Sequence, residues 1–131
     1  MAIAIGQKAT RKIRVTPDLL ACNVGSGSVE VFATPMVAAL MEGAAADLAQ
    51  SDLAEGITTV GTQITVEHTA PSVVGMTVTA EATLLETDGR TYTFSLRAWD
   101  DAGEIATGSH TRASVKTERF LQKAAQRKQN G

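Results

Sequence analysis

Apolar and polar positions recur at two different periods along this chain, and the change of period divides it. Over residues 36–48, Val37, Leu40, Met41, Ala44 and Leu48 fall on one stripe at about 100° per residue, which predicts an α-helix. Alanine and glycine fill most of its other faces, so the helix reads as buried nearly all round. Thr34-Pro35 precedes it, a good N-cap followed by the residue favoured in the first turn. After Glu55-Gly56 the period drops to two. Strands are predicted over about 58–70, with Val60, Ile64, Val66 and His68 on one face, and about 76–86, with Met76, Val78, Ala80, Ala82 and Leu84 on one face. A third covers about 90–99, with Tyr92, Phe94, Leu96 and Ala98 inward. The fourth covers about 104–116, where a muddier alternation points to a bulge. Asp88-Gly89 and Asp101-Ala-Gly103 supply the turns.

The flanks are less regular. Residues 8–16 read as an edge strand ending at Pro17. Cys22–Ser28 reads as a mobile glycine- and serine-rich loop, 29–33 as a short strand, and 117–129 as a terminal helix with Phe120, Leu121 and Ala124 on one side. A strand, a loop, one buried helix and then consecutive antiparallel strands make an α+β protein.

Composition narrows the class. The chain has 131 residues, enough for one domain over 1–131 with a single core. Its 21 alanines crowd the helical block and its 17 threonines the sheet block. A net charge of −2 lacks the basic excess of a nucleic-acid binder. Cys22, the single cysteine, forms no internal disulfide. The apolar start, Met1 to Ile5, is too short and lacks the basic flank of a signal peptide, and no run reaches the roughly 18 residues of a membrane span. A soluble cytoplasmic protein is expected.

Few residues offer chemistry. Glu42 lies about 160° from the centre of the helical stripe. It is either an ordinary solvated glutamate or a carboxylate enclosed by the helix's apolar surroundings, where it needs a partner. His68 has inward parity and reads either as a core histidine or as a general acid or base. Thr34 is explained by helix capping, yet the same place offers an anion or oxyanion backbone donors and positive potential. Gly61 interrupts a strand, through a bulge or a close backbone approach. Periodicity alone makes Arg112 a surface residue. No nucleophile elbow, P-loop, dinucleotide fingerprint or zinc-spaced cluster is present.

Taken in order, Ala33-Thr34-Pro35, Leu40-Met41-Glu42, Thr59-Val60-Gly61-Thr62 and Val66-Glu67-His68-Thr69-Ala70-Pro71 resemble the hotdog-fold thioesterases of the fluoroacetyl-CoA thioesterase type. Gly108-Ser-His110-Thr-Arg112 and Glu118-Arg119-Phe120 extend the resemblance from about residue 10 to residue 121. It implies a long helix wrapped by an antiparallel sheet and a homodimer with sites at the interface. It further implies catalytic Thr34, Glu42 and His68, with Gly61 and Arg112 in support. The substrate would be an acyl-CoA, with CoA part of the substrate and neither cofactor nor metal required. Members specific for fluoroacetyl-CoA carry aromatic residues in a lid before the threonine. Here Cys22–Ser28 has none and Phe32 is the only one nearby, so a small or medium acyl group is expected. Lys116 and Arg119 are candidates for the CoA phosphates. A hotdog hydratase or dehydratase, and a non-catalytic acyl-CoA-binding module, are the competing readings.

Overall fold

The computed structural model describes residues 3–131. Strand β1 (Lys8–Arg14) is followed by a 3-10 turn at Pro17–Leu19 and a single helical turn, α1 (Ala21–Val24). The long helix α2 (Thr34–Gln50) comes next, then β2 (Ile57–His68), β3 (Thr77–Thr87), β4 (Thr91–Asp100), β5 (Gly103–Lys116) and the terminal helix α3 (Thr117–Asn130). The strands form one antiparallel sheet in the order β1-β3-β4-β5-β2, and α2 lies on one face of it.

The expected helical stripe is the core. Val37, Leu40, Met41, Ala44 and Leu48 are all buried, against Val78, Ala80, Ala82 and Leu84 of β3 and Tyr92, Phe94, Leu96 and Ala98 of β4. Each large side chain among them contributes roughly 1.5–3 kcal/mol of burial. The small residues of α2 allow close approach. Gly43 lies beneath the Arg11 side chain, which crosses the helix from β1 to make a two-pronged bond to Asp47 at 2.7 and 2.9 Å. Both partners are about half exposed, so this pair adds less than about 1 kcal/mol. Tyr92 donates its hydroxyl to Asp52 Oδ2 at 3.0 Å just beyond α2, and burial pushes that hydroxyl's pKa up to about 12.

Several expectations change. The strands are not a simple meander: β3, β4 and β5 follow one another, but β2 crosses to the far edge and pairs only with β5 among the described residues. Residues 29–33 form no strand. Leu20 and Phe32 make an isolated bridge, and only Phe32 and Ala33 are buried there. The loop over 22–28 begins as helix α1, ended by Gly25 at φ 91°. Helix α2 runs two residues further at each end than predicted. Its N-cap is Ala33, so Thr34 is the first helical residue and its hydroxyl caps nothing.

Bulges explain the imperfect alternation. On β5, Ala98 pairs with Ala106 and Trp99 with Glu104, so Ile105 is the extra residue and two consecutive apolar side chains, Ile105 and Ala106, are buried. On β2, Gly61 pairs with Arg112 and Gln63 with Thr111, leaving Thr62 extra. That residue reverses the parity: Thr59 and Gly61 share the helix-facing side with Ile64, Val66 and His68, and Val60 points the other way.

Gly108 keeps the β2–β5 pairing tight, because a Cβ there would run into the Thr65 carbonyl oxygen. Backbone cannot yield as a side-chain tip can. Gly108→Ala should lower the unfolding free energy by at least about 2 kcal/mol, read from the urea midpoint.

Candidate active site

Two clusters hold the candidate residues. In the first, Thr34 at the start of α2 meets His68 at the end of β2, with Oγ1 2.8 Å from Nδ1. Both chain segments are fixed by backbone bonds. Ala33 N–H donates to Leu19 O at 3.0 Å and Phe32 N–H to Ser72 O at 2.8 Å, while Thr69 N–H donates to Ile105 O at 2.8 Å. Ser72 is anchored in turn by a buried 2.7 Å bond from its hydroxyl to Asp100. His68 Nε2 is buried and has no hydrogen-bond partner among the described residues. Burial holds the His68 pKa below its ordinary 6.5, opposed in part by the backbone at Ala70. The pair opens into a cavity of about 570 Å³, whose walls include Ala21, Ser26, Val31, Phe32 and Pro71.

The second cluster surrounds Glu42. Glu42 Oε2 lies 3.7 Å from Arg112 Nη1 and 3.9 Å from His110 Nε2, with the Glu42 side chain 40% exposed. Arg112 is buried, not on the surface. The alternation of β5 places it beside His110 on the helix-facing side, opposite Tyr92 and Gly61. Its Nε donates to Thr59 Oγ1 at 2.8 Å and its Nη2 to Thr59 O at 2.9 Å. Burial lowers the Arg112 pKa and Glu42 opposes the shift. Gly61 proves to be both a bulge neighbour and a close approach. A Cβ on it would lie 2.7 Å from Glu42 Oε2, 3.1 Å from His110 Cε1 and 3.4 Å from Arg112 Nη1.

Within one chain these clusters do not touch. Glu42 lies eight residues along α2 from Thr34, about 12 Å of helical rise, and pairs with neither Thr34 nor His68. His110 and Thr59 are the members that reading the sequence missed. The signal for His110 was its even parity with Arg112 on a strand whose even positions face α2. Lys116 and Arg119 line a groove of about 520 Å³ with Arg90, Lys123 and Phe120, next to Ile57. Ile57 begins the 12-residue strand that His68 ends, about 36 Å away along β2. No helix among the described residues is long and apolar enough to cross a membrane.

One long helix laid across a five-stranded antiparallel sheet in this order is the hotdog fold of the thioesterases it resembles. The family model described as fluoroacetyl-CoA-specific thioesterase matches residues 15–118. A fluoroacetyl-CoA thioesterase from Streptantibioticus cattleyicolor is 39% identical over 98 residues, covering 75% of this chain and 70% of the relative. A solved structure of the fluoroacetyl-CoA thioesterase FlK is similar with a TM-score of 0.90 at 32% identity, covering 96% of this chain and 98% of that one. A Thermus thermophilus thioesterase superfamily member, TTHA0967, shares the fold with a TM-score of 0.88 at 24% identity, covering 98% of each chain. The chain belongs to the fluoroacetyl-CoA-specific thioesterase family and is a thioester hydrolase. The hydratase and binding-only readings fall away with that membership.

The histidines set an acid limit on stability. Burial is the first cause of the downward shift for both His68 and His110, so the unfolded chain binds more protons than the folded one below pH 6.5. The stabilisation is present above 6.5 and declines as pH falls from there toward the folded pKa values. Urea denaturation should show a lower midpoint at about pH 5 than at about pH 7.5, and His68→Asn should reduce the difference.

Proposed function

We propose that this protein is a cytoplasmic acyl-CoA thioesterase, a single domain that cleaves a small or medium acyl-CoA to the free acid and CoA. The observation that carries this reading is the Thr34–His68 pair at 2.8 Å, set at a cavity, with the other ring nitrogen of His68 buried and without a partner among the described residues. His68 takes a proton from Thr34 or from water, and the oxygen so activated adds to the thioester carbonyl. The C–S bond then breaks, and the CoA sulfur leaves with the proton from His68; where a side chain rather than water made the bond, a second water activated by His68 then cleaves the acyl-enzyme to the free acid and restores the side chain. Glu42, held by Arg112, supplies the carboxylate that orients the attacking group or attacks in its place. Met36 and Val37 N–H both bond back to Ala33 O, and Pro35 has no N–H. The Thr34 and Gly61 amides are therefore the candidate oxyanion donors. The reaction draws on the chain's own groups, with CoA entering as part of the substrate. Residues 22–28 bring no aromatic side chain to the cavity, and Phe32 at its wall is 1% exposed, which supports a small or medium acyl group without selectivity for fluoroacetyl. Exposed Cys22 suits a reducing compartment.

The active form is proposed to be a homodimer, with the Thr34–His68 pair of one copy facing the Glu42 cluster of the other. Three features support this. The two clusters are separated along α2 within a chain. Among the described residues strand β2 has an unpaired edge over 12 residues, with no proline and only Glu67 and His68 ionisable, a ready template for another strand. Helix α3 leaves Phe120 and Leu121 42% and 62% exposed.

Free-thiol release from a panel running from acetyl- to long-chain acyl-CoA should peak among the shorter chains. His68→Ala and Glu42→Ala should each lower it at least about a hundredfold while far-UV dichroism stays unchanged. Full turnover by His68→Ala would remove the mechanism. Mixing the two inactive variants separates a shared site from one within a chain. Random pairing makes half the dimers mixed, each with one intact site, so about a quarter of wild-type activity should return on subunit exchange. No recovery after demonstrated exchange would place all the groups in one chain.

A further inference from the structure

His110 has no part in the chemistry above, yet its side chain is only 1% exposed and sits against Arg112. Its hydrogen bonds settle its proton. Nδ1 lies 2.7 Å from Gln63 O, and a carbonyl only accepts, so Nδ1 carries the hydrogen. Nε2 lies 3.1 Å from Arg112 Nη1, and a guanidinium only donates, so Nε2 is bare and accepts. The ring is therefore neutral, as burial also favours. A bare Nε2 cannot donate to Glu42, so the 3.9 Å approach between them is no hydrogen bond. The groups facing the ring are Glu42 from α2, Arg112 from its own strand, the uncharged Phe94 of β4, and the Gln63 carbonyl with Gly61 from β2.

We propose that His110 is a positioning residue: its Nε2 occupies Arg112 Nη1, so that the guanidinium steadies Glu42 without closing on it. This rests on reading Glu42 as the carboxylate of the active site. Arg112 has three anchors, two on Thr59 and one on His110, and reaches Glu42 only at 3.7 Å. With the acceptor on His110 removed, a buried Nη1 hydrogen loses its partner, and the nearest replacement is Glu42 Oε2. The carboxylate is then drawn into a direct pair with Arg112 and withdrawn from substrate.

Two substitutions divide the histidine's two bonds. His110→Asn keeps a donor where Nδ1 was and supplies no acceptor at the Nε2 position. His110→Gln places its carbonyl oxygen near Nε2 and gives up the bond to Gln63. Steady-state kinetics on the most active acyl-CoA should show kcat lowered about tenfold or more in His110→Asn with KM within about twofold, and kcat within about threefold of wild type in His110→Gln even though its thermal midpoint drops. Equal losses in the two variants, or an unimpaired His110→Asn, overturn the proposal. Glu42→Gln is measured alongside. Full activity there removes the carboxylate reading, and this proposal with it. Inactive Glu42→Gln beside unimpaired His110→Asn overturns the positioning role alone. If neither histidine variant folds, the imidazole 15N shifts of the wild-type protein decide: a His110 ring protonated at Nδ1 with a bare Nε2 across the pH range of activity supports the proposal, and a ring carrying hydrogen on Nε2 overturns it.

Discussion

Glu42 meets Arg112 across a strand position that has room for no side chain, and much of the molecule is arranged around that contact. Helix α2 brings the carboxylate down onto the β2–β5 pair, where Gly61 lies opposite Arg112. The 2.7 Å clearance from a hypothetical Cβ to Glu42 Oε2 measures how little space remains. The helix itself comes close because its buried positions include Gly43, Ala44, Ala45 and Ala49. Larger residues there would widen the gap between helix and sheet and carry Glu42 away. The extra residue at Thr62 completes the arrangement. It turns Gly61 and His68, which are an odd number of residues apart, to the same side of the sheet.

A buried guanidinium is costly unless its donors find acceptors and its charge finds a partner. Arg112 meets both conditions with uncharged acceptors close by, Thr59 Oγ1, Thr59 O and His110 Nε2, and a carboxylate further off at 3.7 Å. Here the neutral groups satisfy hydrogen bonding and the acid supplies compensating charge. Glu42 is consequently not consumed by its partner. Its side chain stays 40% exposed and reachable, whereas Arg112 and His110 are enclosed. A direct two-pronged pair, such as Arg11 makes with Asp47 at the surface, would use both carboxylate oxygens.

Much of this was legible in the residues, for physical reasons that also mark where legibility ended. The stripe of α2 and the inward faces of β3 and β4 came through because periodicity reports burial directly, and those positions are buried. The bulge of β5 showed as a blurred alternation because Ile105 adds a second consecutive apolar position. Two features were hidden because they are long-range. Nothing local distinguishes a β2 that pairs with β3 from one that crosses to β5, and that crossing brings Gly61 to Arg112. Arg112 read as a surface residue because hydropathy records a side chain's charge and not the acceptors that Thr59 and His110 bring to it. Thr34 was ambiguous for another reason. Its sequence fits an N-cap, but the helix takes Ala33 as its cap and frees the threonine hydroxyl for His68.

The separation of the two clusters follows from helix geometry. Thr34 and Glu42 are eight residues apart on a straight element, and about 12 Å is several times the reach of a catalytic hydrogen bond. No side-chain rotation closes that gap while α2 stays packed, because the same helix supplies the core stripe from Val37 to Leu48. A folded chain of this design therefore holds a histidine with a hydroxyl at one end of its helix and a carboxylate beside a buried arginine near the middle. For the two to act on one thioester, the missing half must come from outside the chain. The unpaired edge of β2 is well placed to admit it, since that strand carries both Gly61, against the carboxylate, and His68. A twofold axis across such an edge reverses the strand direction, bringing the histidine end of one copy toward the glycine end of the other. On this reading the edge that would be an aggregation hazard in a monomer is the element that assembles the site.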